Sequence, residues 1–133
     1  MATIVVGFID NAEGRRALDL AIEEAERRGL RLIIVHSHVG GAKTEDEAYY
    51  QYQEALEKLA ADLEARGVDH EIHEYVRGQT PAEDLVEACG DFEAELLVIG
   101  YKRRSAAGKA ILGSHAHDVL MTSPVPVLAV MAP

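Results

Sequence analysis

Between Gly100 and Ser114 the chain carries four cationic side chains, Lys102, Arg103, Arg104 and Lys109, together with Gly100, Gly108 and Gly113, and no acid. The whole protein has a formal net charge of −10. A glycine-bearing cationic stretch in an acidic chain is a place to hold an anion. Glycines let backbone N–H groups approach a phosphate, and a helix starting at Ser114 adds partial positive charge from its first turn. A solvated basic loop is the plainer alternative, and local chemistry alone leaves both open.

Other reactive side chains are less suggestive. His36 and His38 share a face if their segment is a strand, so they could chelate one ion. No nearby Cys or carboxylate completes a metal set in sequence, and no metal site is expected. His115 and His117 point apart on a helix. His115 lies beside the anion segment and could titrate against a phosphate. Nucleophilic catalysis at Ser114 would need a base and an orienting acid, and the adjacent His115 and nearby Asp118 do not align as a triad. No catalytic residue is assigned, and Ser114 reads as a helix N-cap. Cys89 reads as a helix-face hydrophobe. Tyr49, Tyr50 and Tyr52 read as core plus solvent edge, with an interaction patch the alternative.

These residues need a scaffold. The 133 residues are about one domain long and 48% hydrophobic, enough for a real core. The acidic balance and the lack of Trp argue against a nucleic-acid partner. A lone cysteine permits no internal disulfide and fits a reducing compartment. No leader pattern precedes the first strand, and no apolar run could span a bilayer, so a soluble cytoplasmic protein with no membrane partner is expected.

Strands are expected at Thr3–Phe8, Leu32–Val35, His70–Val76, Leu96–Ile99 and Val127–Met131. The third is the most polar and suits an edge. A polar turn at Asp10–Gly14 follows the first strand. Helices are expected over Arg15–Arg28, Thr44–Arg66 and Thr80–Cys89, with a short one from Ser114. The third opens on a capping box, Thr80-Pro81-Ala82-Glu83. Strands alternating with helices imply right-handed βαβ units: an α/β, doubly wound, parallel five-stranded sheet with helices on both faces, in a single domain over residues 1–133. Ligands of such sheets bind beyond the carboxyl ends of the strands, where the winding reverses. The loops after the first and fourth strands are therefore the candidates.

The chain resembles the universal stress protein family over essentially its whole length. The family pattern after the fourth strand is Gly, two residues, Gly, nine residues, then Gly and Ser or Thr. Gly100, Gly113 and Ser114 match it, and Arg103 stands at the second glycine. Ile4-Val5-Val6-Gly7, the Gly29 break, Arg77-Gly78 and Val125-Pro126-Val127-Leu128-Ala129-Val130 also look like the family. The resemblance implies strand order 3-2-1-4-5 and ATP, AMP or another adenine nucleotide between the first and fourth strands, with magnesium arriving on a triphosphate if at all. It implies that Gly100, Gly113 and Ser114 meet the ribose and phosphates, and that Gly7, Phe8 and Ile9 flank the adenine. Ser37, Ile99 and His115 would line the same cleft.

Two departures bear on these expectations. Family binders usually carry Asp where Ile9 aligns; Asp10, one residue later, substitutes only if the loop turns early. Arg103 fills space a glycine would leave, yet Arg103, Arg104 and Lys109 could replace backbone contacts with charge-assisted ones. The resemblance further implies a homodimer through Val127, Leu128, Ala129 and Val130, because a flat apolar edge invites a second strand. The function expected is a stress-response sensor or buffer of adenine nucleotides, with at most slow incidental hydrolysis. The alternatives are a dimeric interaction module without nucleotide, and anion binding by the basic loop alone.

Overall fold

Thr3–Gly7 forms the first strand, β1, and its residues alternate between two cores. Ile4 and Val6 pack against Ala17, Leu18, Ala21 and Ile22. Val5 faces the other way, toward Leu85, Ala88, Cys89, Ala116 and Val119. A strand buried on both faces needs apolar side chains on both, which is why the run is continuous rather than alternating. The computed structural model describes residues 2–9, 11–37, 46–75, 79–101, 104–106, 109–111 and 113–132. Side chains are described except at 46–52, 104–106, 109–111 and 114.

The chain continues through α1 (Ala12–Arg28), β2 (Arg31–Ser37), α2 (Asp46–Ala65), β3 (His70–Tyr75), α3 (Pro81–Asp91) and β4 (Ala94–Tyr101). A short ribbon, β5 (Arg104–Ala106) and β6 (Lys109–Ile111), precedes α4 (Ser114–Thr122) and β7 (Val127–Met131). Five strands form a parallel sheet in the order β3-β2-β1-β4-β7, the expected 3-2-1-4-5 arrangement when sheet strands alone are counted. Core residues of α1 and α2 lie on one face and those of α3 and α4 on the other. The half-exposed β3 and the apolar β7 are the two edges.

Three local expectations are corrected. The segment after β4 holds an antiparallel ribbon, with Arg104 opposite Ile111 and Ala106 opposite Lys109, where an open glycine loop was expected. Only two residues separate these strands in sequence, a hairpin spacing that the cationic composition masks. The N-cap of α4 is Gly113, with Ser114 the first helical residue. The Gly113 carbonyl already accepts the His117 N–H (2.9 Å), so the helical ladder begins one residue before Ser114. Finally, α1 begins at Ala12 rather than Arg15. The Asn11 side chain caps it by accepting the Gly14 N–H (2.8 Å).

Gly14 hid that start, since glycine disfavours helix interiors. Its presence follows from packing: a Cβ there would lie 1.8 Å from the Ile9 carbonyl oxygen. Gly100 is constrained from the other side. A Cβ on it would lie 2.4 Å from the Glu13 carbonyl oxygen and 3.1 Å from the Gly14 nitrogen. The two glycines thus let the first turn of α1 rest directly on the end of β4. Gly100→Ala should destabilise the protein by about 1–3 kcal/mol, because the clash is with backbone that cannot swing aside. Gly90→Ala in α3, where a Cβ meets nothing within 4 Å, should instead stabilise by up to about 1 kcal/mol. Urea unfolding midpoints check both signs.

Candidate functional site

β1 lies between β2 and β4, and the chain leaves its two central strands on opposite faces. From β1 it climbs into α1; from β4 it passes to α4. A crevice opens where the paths diverge, at the carboxyl ends of the strands. It holds a cavity of about 180 Å³ lined by Gly7 of β1, Phe8 and Ile9 just after it, Val35 and Ser37 of β2, and Ile99 and Gly100 of β4. Pro81, Ala82 and Leu85 of α3 and His115, Ala116 and Val119 of α4 close the other side.

The two helix ends at this cavity differ. The α3 end is self-satisfied: Thr80 Oγ1 accepts the Glu83 N–H (3.2 Å), and Glu83 Oε1 accepts the Thr80 N–H (3.1 Å). Pro81 contributes no N–H at all. Among the described residues the α4 end has no side-chain cap, and a Cβ on Gly113 would meet nothing within 4 Å. Its first-turn N–H groups and the positive end of its dipole are therefore available to an anion.

One wall carries a buried polar pair. Ser37 at the end of β2 donates its hydroxyl hydrogen to Oδ2 of Asp84. Asp84 is 0% exposed. With its amide turned so that the nitrogen faces the two acids, Gln79 donates to the other Asp84 oxygen (2.9 Å) and to Glu87 (3.2 Å). The loop after β1 is held by a second contact: Nδ1 of the buried His36 donates to the Phe8 carbonyl (3.1 Å). That bond gives His36 a structural partner; His38, considered with it as a metal ligand, lies outside the described residues. Among the described residues no group of three or more His, Cys, Asp or Glu could hold a metal ion.

A larger hollow of about 700 Å³ lies at the opposite ends of the strands, beside Thr3, Arg31, Asp69 and Glu93. Arg31 there is occupied, bonding Asp69 (3.2 Å) and Glu71 (2.6 Å). Glu71 is held below the usual carboxylate range by its hydrogen bond from His73 and then by Arg31. This hollow has neither the switch point nor a free helix start.

The comparisons agree with the architecture. Residues 1–131 match the model of the universal stress protein family. The chain belongs to this family. A universal stress protein of Mycolicibacterium smegmatis is 39% identical over 127 residues, covering 96% of this chain and 95% of that protein. The structure of the universal stress protein from Archaeoglobus fulgidus is 35% identical, with a TM-score of 0.84 and 98% of each chain covered. An Archaeoglobus fulgidus universal stress protein in complex with dAMP is 32% identical, with a TM-score of 0.78 and 98% of each chain covered.

Of the residues the family resemblance singles out, Gly7, Phe8, Ile9, Ser37, Ile99, Gly100 and His115 meet around the one cavity. Ile9, where the resemblance expects an Asp, is 58% exposed and sits at the rim. Gly113 and the backbone of Ser114 form the start of α4. Arg104 and Lys109 have their backbones in β5 and β6. Asp10 and Arg103 lie outside the described residues. Sequence reasoning did not reach Asp84, which carries a readable signal: it stands four residues before Ala88, on the buried face of α3.

Cys89 lies on that same buried face. Burial pushes its thiol up to about 11. The reactive thiolate is therefore scarce at pH 8. Iodoacetamide should label Cys89 slowly in the native protein and rapidly in urea, as read by intact mass against time.

Proposed function

We propose that this protein binds an adenine nucleotide in the crevice between β1 and β4, with the base in the cavity and the phosphates at the start of α4. The cavity carries the reading. Its 180 Å³ is below the roughly 300–1,000 Å³ of sites that enclose a whole drug-sized ligand. It suits a flat base, with the sugar and phosphates outside. An uncapped helix start lies beside it, and the cationic segment joins β4 to α4 in sequence. The dAMP complex of a family member 32% identical supports the same ligand class. Magnesium, with a triphosphate, would be carried by the phosphates.

Holding a nucleotide without using it suits a sensor or buffer in a stress response. Titration calorimetry with AMP, dAMP and ATP tests the reading. Micromolar binding is expected. Absence of heat with all three would leave an interaction module that works without nucleotide. Gly113→Asp separates site from scaffold. An Asp at this position caps α4 and complements its dipole, so stability should rise by a few tenths of a kcal/mol. The same carboxylate repels the phosphates, so AMP affinity should fall by about tenfold or more.

The proposal includes a homodimer through β7. Leu97 N–H bonds the Pro126 carbonyl. In a parallel ladder alternate residues bond the same neighbour, so Leu128 and Val130 face β4 while Val127, Ala129 and Met131 turn their backbone groups outward. Ala129→Pro removes an outward N–H and spares the inner ladder. Sedimentation equilibrium should give a dimer mass for the native chain and a monomer mass for this variant.

A further inference from the structure

The cavity wall contains one side chain whose hydrogen-bonding sense is set from behind. Ser37 lines the cavity, and its only hydroxyl hydrogen goes to Asp84. Asp84 is fully buried, and a carboxylate can only accept. What remains to Ser37 on the cavity side is oxygen lone pairs. The site therefore offers an acceptor there, fixed by a group that the ligand never touches. An acceptor of this kind is satisfied by a ligand N–H and is left unpaired by a ligand that lacks one.

We infer that Ser37, oriented by Asp84, selects the exocyclic amino group of adenine. The inference rests on the nucleotide reading above and adds to it the group that is recognised. Adenine has one N–H donor site once its ring nitrogen is attached to ribose, the 6-amino group; its other ring nitrogens are acceptors. Ser37 acts on the ligand directly, and Asp84 is a positioning residue that acts through it.

The surroundings of Asp84 make the sense reversible by one substitution. Turned with its nitrogen toward the acids, the Gln79 amide donates one hydrogen to Glu87 and one to Asp84. Glu87, as a carboxylate, holds that amide with its nitrogen inward. In Asp84→Asn the new side chain must then show its oxygen to Gln79 and its NH₂ to Ser37. Ser37 becomes the acceptor in that bond, and its own hydrogen turns toward the cavity. The wall changes from acceptor to donor with almost no change in shape.

The test compares AMP with purine riboside 5′-monophosphate, which lacks only the 6-amino group, by titration calorimetry on the full chain. The native protein should prefer AMP by about tenfold, the worth of one hydrogen bond whose acceptor is otherwise left unpaired. Ser37→Ala should bring the two ligands to equal affinity. Ser37→Thr keeps the hydroxyl and should keep the preference. Asp84→Asn should abolish or invert it. A purely structural role for the pair would weaken both ligands together and leave their ratio unchanged. Such an unchanged ratio in Ser37→Ala overturns the inference while AMP binding to the native protein stands. Absence of AMP binding to the native protein removes the nucleotide reading and this one with it. If Asp84→Asn fails to fold, as circular dichroism would reveal, the two Ser37 variants decide the matter alone.

Discussion

Everything about this molecule turns on the position of β1. It is paired on both edges and buried on both faces, so it admits no polar side chain between Ile4 and Val6. It is also where the winding changes direction. The cavity follows from that geometry. Its floor uses residues that belong equally to the core: Val35, Leu85, Ile99 and Val119. A site built from core side chains is rigid without further support, because those side chains are already close-packed. The cost is that its shape cannot be altered without disturbing the sheet.

The same logic explains why the polar parts of the crevice are few and held by the backbone. His36 ties the Phe8 carbonyl to β2, and Phe8 returns its own N–H to Val35 (2.9 Å). Ile9 then turns its carbonyl to Asn11 (2.8 Å), and Asn11 caps α1. Within four residues the chain passes from the sheet centre to a helix start. Gly14 and Gly100 are what make so short a passage possible, since each replaces a side chain that would strike backbone. In Gly100 the family motif and a packing requirement coincide. A motif glycine at the end of a strand need not be there for the ligand alone.

Much of this was readable from residue pattern, and what was not has definite causes. Continuous apolar runs marked β1, β2, β4 and β7, because burial on both faces or at an apolar edge leaves an unmistakable trace. Thr80-Pro81-Ala82-Glu83 marked the start of α3, because a capping box is a local bond between residues three apart. The start of α1 was missed because Gly14 contradicts helical propensity for a tertiary reason. The β5–β6 ribbon was missed because strands of three residues, Arg-Ser-Ala and Lys-Ala-Ile, are too short to show a periodicity. Asp84 was missed because a lone acid in a helix is ordinarily solvated, which outweighed its place on the buried face of α3; its tertiary partner on β2, Ser37, accounts for the burial.

That burial sharpens the choice among ligand classes. A site for a bare anion needs donors, and the start of α4 offers them, but such a site has no use for an apolar cavity beside it. A purely apolar partner would fit the cavity but would leave the α4 N–H groups to water and the buried carboxylate without a purpose. Burying a charge is costly unless it is fully hydrogen-bonded, and Asp84 has recruited Ser37 and Gln79 to meet that cost at the cavity wall itself. A flat, amino-bearing base joined to a phosphate accounts for all three features together. In the proposed complex the apolar surface would take the ring, the oriented hydroxyl the amine, and the start of α4 the charge.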